Sequence, residues 1–253
     1  MSAWDDVESL ARDRTMGAAE TADRAARLLP EIPRDDLVDA VEVLLTGHPS
    51  MGPLWRLANA MLTAREPSDA AAWFREQMAT DTTAAFSLSP ALPGRVLTIS
   101  ASAAVAQALA VRKPSTVVCM SSQPGGEGLA MAGMVSAYSE VEVIDDDRAI
   151  AEVPADAVLI GADAITPAAV INKVKSLELV QAAAARNIPR YSVAGSAKLV
   201  PCDLPVADLF QAVPLELFTA IALPAGLLRP ADAMERAASV QMHKALLALA
   251  EKL

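Results

Sequence analysis

The sequence predicts an α/β protein, with a helical N-terminal part followed by a doubly wound, mostly parallel sheet. Two patterns carry that expectation. In the first third of the chain apolar residues recur at helical spacing; beyond it, short β-rich runs alternate with helix-period segments. A third observation places the join at the Pro-rich stretch "SLSPALPGR", residues 87–95, where one pattern gives way to the other. The expected division is a helical domain, 1–90, and a sheet-containing domain, 91–253.

The helical part rests on three stripes. They are Trp4, Val7, Leu10 and Ala11; Leu37, Val38, Val41, Leu44 and Leu45; and Leu54, Leu57, Ala58, Met61 and Leu62. Pro30, Pro33, Pro49 and Pro67 punctuate them, and Ser68 reads as an N-cap. The strands follow as "RVLTIS", "TVVCMS", "VEVID", "AVLIGA" and "RYSVAG", separated by helical patterns.

Composition bounds the function. The chain has 253 residues, 53% of them hydrophobic and 21% charged, which reads as globular. Aromatics are 4%, so the core must be aliphatic. A net charge of -10 argues against nucleic-acid binding, since such proteins carry a basic footprint. A small anion in a local positive pocket stays compatible with it. Cys119 and Cys202 make no disulfide or zinc framework, so a reducing compartment is expected. With no signal-like start and no apolar run long enough to span a membrane, the expected setting is cytoplasmic. No metal or cofactor is expected.

Ligands of open parallel sheets bind at the carboxyl ends of the strands. There the sequence places Ser100 and Ser102; then Gly125, Gly126 and Gly128 in "SSQPGGEG"; then Asp163; then Gly195, Ser196 and Lys198. Helix starts with small residues suit phosphate, although tight turns need the same residues. Asp163 alone is also compatible with a cap on a helix beginning near Ala168. Asp145, Asp146 and Asp147 read as a solvated turn, Cys119 as a buried small hydrophobe and Cys202 as a loop packing residue. His48 follows Gly47 at a helix end, where the dipole favours it, and His243 reads as a surface residue of the last helix.

Taken in order, the motifs resemble the translation initiation factor 2B α/β/δ-subunit family, which includes methylthioribose-1-phosphate isomerase and ribose-1,5-bisphosphate isomerase. The resemblance runs through "LTISAS", "SSQPGGEGLAMA", "GADAITPAAVINKV" and "FQAVPLELFTAI". In the helical part "RDRTMGAAETADRAA" and "HPSMGPLWRLANAML" resemble the family's two N-terminal signatures, so nearly the whole chain is covered. The resemblance implies a helical domain on a Rossmann-like domain that binds ligand and forms a homodimer. In the isomerase branches a cysteine and an aspartate interconvert a 1-phosphorylated aldose and its ketose. The aspartate falls on Asp163 and the cysteine on Ser100, whose hydroxyl is a far weaker base than a thiolate.

Other departures point the same way. Gln123 stands where the isomerases have a phosphate-binding arginine, Val174, Lys175 and Ser176 replace "Ile-Gly-Thr", and His48 replaces an arginine. Arg14, Gly128, Asn172 and Lys173 remain, and Asp146 matches an acidic position of the family. The resemblance therefore implies a retained anion pocket with a damaged catalytic pair. Asp163 and Ser100 hold the catalytic positions; Arg14, Ser102, Gln123, Gly126, Gly128, Asp146, Asn172 and Lys173 are the ligand-binding candidates. The expected ligand is a phosphorylated sugar or nucleotide, its hydroxyls on Asp163 and its phosphate on Lys173 and the N–H groups of Gly126 to Gly128. The alternatives are an active isomerase of a 1-phosphorylated pentose and a dimerisation scaffold without ligand. The apolar run "PLELFTAIALPAGLL" adds to the expectation of a homodimer.

Overall fold

The computed structural model describes residues 2–87, 92 and 94–253. Five helices come first: α1 (Ala3–Arg12), α2 (Ala18–Leu28), α3 (Leu37–Gly47), α4 (Gly52–Thr63) and α5 (Pro67–Ser87). Among the described residues no strand interrupts them. A capping box opens α1: the Ser2 hydroxyl accepts from the Asp5 N–H at 3.2 Å, and the Asp5 carboxylate accepts from the Ser2 N–H at 2.7 Å. Helix α5 begins at Pro67 itself, one residue before the expected cap at Ser68; proline suits the first helical position because its missing N–H has no helical partner there.

The sequence stripes become the core of this part. Val7, Leu10, Val41, Leu44, Leu45, Leu57 and Met61 are buried, whereas Val38, read into the same stripe, is 49% exposed. The ends of α1 and α3 touch closely: a Cβ on Gly47 would lie 2.3 Å from the Ala11 carbonyl oxygen. His48, expected to answer the helix dipole, is instead packed into this contact. Its ring is buried and Nε2 donates to the Leu10 carbonyl at 2.7 Å, and burial holds its pKa below the ordinary 6.5.

Beyond the join the chain runs β1 (Arg95–Thr98), α6 (Ala103–Arg112), β2 (Thr116–Met120), α7 (Glu127–Val135), β3 (Glu140–Ile144), α8 (Asp146–Glu152) and β4 (Ala157–Ile160). A small hairpin follows, β5 (Ala164–Ile165) and β6 (Ala169–Lys173), then α9 (Ser176–Ala185), β7 (Arg190–Val193) and β8 (Phe210–Pro214). The last elements are β9 (Ala220–Leu223), β10 (Gly226–Leu228), α10 (Pro230–Ala238) and α11 (Lys244–Lys252). Seven strands form one sheet in the order β10-β9-β7-β4-β1-β2-β3, parallel except for β10. Alternate residues feed opposite faces: Leu97, Val118 and Ile160 pack toward α8, α9 and α10, and Val96, Val117 and Leu159 toward α6 and α7. The order reverses between β1 and β4, the place where such sheets open a crevice.

Two expectations change here. The helix expected to begin near Ala168 is not formed; β5, β6 and β8 make a separate antiparallel sheet. The run "PLELFTAIALPAGLL" supplies β9 and β10; all four residues of β9 are buried inside the molecule, while Leu227 of β10 stays 47% exposed. The expected boundary at residue 90 lies outside the described residues. On either side of it the core is shared: Ala164, Ile171, Val200, Leu204, Leu246 and Leu249 belong to the same apolar cluster as the first five helices.

Candidate functional site

The loops after β1, β2, β4 and β7 meet at the carboxyl edge of the sheet. Ser100, past the end of β1, has φ 65, and its N–H donates to Ser122 Oγ at 2.8 Å. Ser122, at φ 63, donates in turn to the Met120 carbonyl at 3.0 Å. The sequence reading passed over this serine, which ties the first two loops together. Ser102 is the N-cap of α6, its hydroxyl accepting from the Val105 N–H at 3.3 Å. A Cβ on Gly161 would come within 2.6 Å of that hydroxyl, so the small residue before Ala162 and Asp163 makes room for the cap.

Asp146 holds the β2 loop. It is 1% exposed; Oδ1 accepts from Ser121 Oγ at 3.0 Å and from the Ser122 N–H at 2.7 Å, and Oδ2 accepts from the Gln123 N–H at 2.8 Å. All three of these bonds run to the loop after β2. Gln123 itself is exposed beside it. Arg14 is exposed between α1 and α2, its guanidinium turned back to the carbonyls of Ala11 and Asp13, both at 2.8 Å.

Two lysine–carboxylate pairs occupy this edge. Lys173, at the end of β6, has a side chain only 7% exposed; its ammonium donates to Glu127 Oε1 at 2.6 Å and to the Pro124 carbonyl at 2.6 Å. Glu127 is the first residue of α7, where its negative charge complements the helix dipole. Beside Lys173, Asn172 donates to Ser176 Oγ at 2.9 Å. The phosphate seat expected from the sequence is thus already engaged. The Gly126 N–H donates to the Ser122 carbonyl at 3.1 Å and the Gly128 N–H to the Ser121 carbonyl at 3.3 Å, while Lys173 is paired. Gly128 is required sterically: a Cβ there would lie 1.9 Å from the Met120 carbonyl oxygen.

The second pair is open. Asp163 is fixed through its backbone: its N–H donates to the Ile171 carbonyl at 2.7 Å, and its carbonyl accepts from the Gly52 N–H, at the start of α4, at 2.9 Å. Lys198, in the turn after β7, brings Nζ to 4.0 Å from Asp163 Oδ1; the two side chains are 15% and 19% exposed. Burial raises the Asp163 carboxyl above 3.8, against the pull of Lys198, Lys173 and the Ala18 backbone at the start of α2. Burial lowers the Lys198 ammonium from 10.5, against the pull of Asp163. Both pairs lie at this edge of the sheet, and Lys173 is among the charges that pull the Asp163 carboxyl down. The sequence placed Lys198 at a strand end without joining it to Asp163, and it did not single out Glu127 at all.

Cys119 lies buried within β2, its thiol pushed up to about 11 by burial, which keeps it protonated at neutral pH. Among the described residues no group of three or more His, Cys, Asp or Glu could hold a metal ion, and no helix is long and apolar enough to cross a membrane.

A doubly wound sheet with charged loops at its switch point, closed over by the starts of two helices, defines an α/β protein whose functional groups converge at the strand ends. The family model of the initiation factor 2 subunit family matches residues 91–218, half of the chain, and the protein belongs to that family. The translation initiation factor eIF-2B of Pyrococcus horikoshii OT3 has the same fold, with a TM-score of 0.78 and 24% identity over 92% of this chain and 98% of that one. The tetrameric eIF2B-beta2-delta2 complex of C. thermophilum contributes a chain at TM-score 0.75 and 16% identity, covering 92% of each. The 5-methylthioribose 1-phosphate isomerase of Pyrococcus horikoshii OT3 follows at 0.63 and 16%, over 95% of this chain and 88% of that one. At these identities the likeness is one of fold. A search of curated proteins by sequence returns no match.

Proposed function

We propose that this chain binds a phosphorylated sugar or nucleotide at the carboxyl edge of the sheet and does not isomerise it. The observation that carries the reading is the Asp163–Lys198 pair: opposite charges, nearly buried, 4.0 Å apart and not hydrogen-bonded to each other. A carboxylate so placed accepts sugar hydroxyls, and charged acceptors make the stronger hydrogen bonds. Lys173 supplies the compact positive charge for the phosphate. Turnover, in this reading, lacks its base: Ser100, whose hydroxyl is a far weaker base than a thiolate, stands in the cysteine's position. In this reading residues 1–90 are a helical domain closing over the site, and 91–253 carry ligand and dimer contacts. The exposed apolar residues Leu129 on α7 and Val111 on α6, 71% and 56% accessible, are the dimer face we propose, and the setting is cytoplasmic.

Titration calorimetry with ribose 5-phosphate and methylthioribose 1-phosphate tests the binding. The expected result is one site, weakened about tenfold or more by Asp163→Asn and by Lys198→Met, with the fold retained, as for loss of a charge-assisted contact. Absence of binding, or affinity indifferent to both substitutions, overturns the reading. Formation of the ketose by the wild-type protein would restore the isomerase alternative. Sedimentation at micromolar concentration tests the dimer, and Leu129→Glu should dissociate it.

A further inference from the structure

Glu127 stands between solvent and Lys173. Its carboxylate curls back over the start of its own helix, so close to Gly125 that a Cβ there would meet the carboxylate atoms at 2.7 to 2.9 Å. With φ 113, Gly125 supplies both the turn and the space. One carboxylate oxygen is bound by Lys173 at 2.6 Å; the other, Oε2, is enclosed and accepts no hydrogen bond among the described residues. An anion at a helix start beside a buried lysine is the arrangement a phosphate oxygen would also adopt. The carboxylate fills it incompletely, leaving one enclosed oxygen without a donor. Its side chain is 34% exposed, against 7% for Lys173, so the glutamate has a way out toward solvent that the lysine lacks.

We propose that Glu127 is a tethered counter-ion that occupies the phosphate position and sets which anions reach Lys173. This rests on the reading of the site as one for a phosphorylated ligand. A short tether holds a group at an effective concentration of about millimolar or above, so a free anion must outcompete a carboxylate that is always at hand. Inorganic phosphate, anchored by nothing else, is excluded. A phosphate ester whose sugar is also held at Asp163 and Lys198 displaces the glutamate, because its second attachment offsets the competition. Glu127 thereby discriminates between a phosphorylated sugar and the phosphate ion that accompanies it in solution.

The experiment measures binding of inorganic phosphate and of ribose 5-phosphate, by calorimetry and by 31P line broadening, to the full chain and its variants. Glu127→Gln keeps the shape and removes the charge. It should bind both probes about tenfold or more tightly than the wild type, and inorganic phosphate should become measurable where the wild type shows none. Adding Lys173→Met should abolish the gain. Where Glu127→Gln folds poorly, Glu127→Asp, which retracts the carboxylate by one methylene, should show the same gain in smaller measure. Affinities unchanged by either substitution overturn the proposal, as does a gain that survives Lys173→Met. If the wild type binds ribose 5-phosphate and Glu127→Gln changes nothing, the functional reading stands and this inference fails. If the wild type binds no ribose 5-phosphate but Glu127→Gln captures inorganic phosphate through Lys173, Glu127 masks the lysine as proposed, while the functional reading and the discrimination between ester and ion fail.

Discussion

At Lys173 the ammonium and a Glu127 oxygen are 2.6 Å apart and a backbone carbonyl completes the contact; at Lys198 the nearest oxygen of Asp163 is 4.0 Å away. Both lysines stand at strand ends of one sheet edge and both are largely removed from water. What differs is how the partner is carried. Glu127 is delivered by a loop that Asp146 clamps and that Gly128 lets lie flat on β2, so its side chain has the freedom to reach. Asp163 is held by its backbone between β6 and α4, with its carboxylate 4.0 Å from the Lys198 ammonium. Burying a charge is costly unless its partner is close and well bonded, so the first pair holds structure together and the second is held apart at the fold's expense.

The strongest way to break this contrast is Gly128→Ala. The added carbon would meet the Met120 carbonyl oxygen at 1.9 Å, a backbone atom that cannot step aside. The loop carrying Pro124 and Glu127 must lift, and we expect a loss of about 3 kcal/mol or more in urea unfolding. Next is a matched pair of substitutions. Lys173→Met strips the partner from Glu127 and should cost about 2 kcal/mol, reduced from the fully buried case because Glu127 is partly solvated. Lys198→Met removes an ammonium that burial already disfavours, and should cost less than about 1 kcal/mol while impairing ligand binding. Equal costs would show that the two pairs do not differ.

The smallest effect comes from pH. Sensitivity just below 6.5 should include a contribution from His48, whose buried ring has its pKa held below that ordinary value. Its pKa is lowered on folding, so the unfolded chain binds more protons there. The stability His48 contributes is complete above 6.5 and is lost as the pH falls toward its folded value. The thermal midpoint should drop by a few degrees over about the first unit of acidification, and His48→Gln should flatten that part of the profile.

The strands β1 to β4 and β7 were legible because each apolar run is short and bounded by turn residues. The hairpin after Asp163 was not: every residue of β6 is buried, so "AVINK" shows no alternation, and fully buried strands lose the two-residue period that would reveal them. The same holds for β9. Asp163, Asn172 and Lys173 could be named from their motif, but their partners could not. Glu127 lies 46 residues from Lys173, and Lys198 lies 35 residues from Asp163. Only the rule that strand ends converge brings such residues together, and it gives no distances.

Helix α11 returns to the beginning of the molecule. Leu246 and Leu249 complete the cluster of the first helices, Asn59 Nδ2 donates to the Gln241 carbonyl at 3.1 Å, and Lys252 pairs with Glu42 at 2.9 Å. The consequence falls on synthesis. A chain made from its N-terminus exposes α1 to α5 before the segments that close their apolar surface, among them Val200, Leu204 and α11, have been made. Until α11 leaves the ribosome, α1 to α5 carry an open greasy face, and a product that stopped before it would be unable to cover that face.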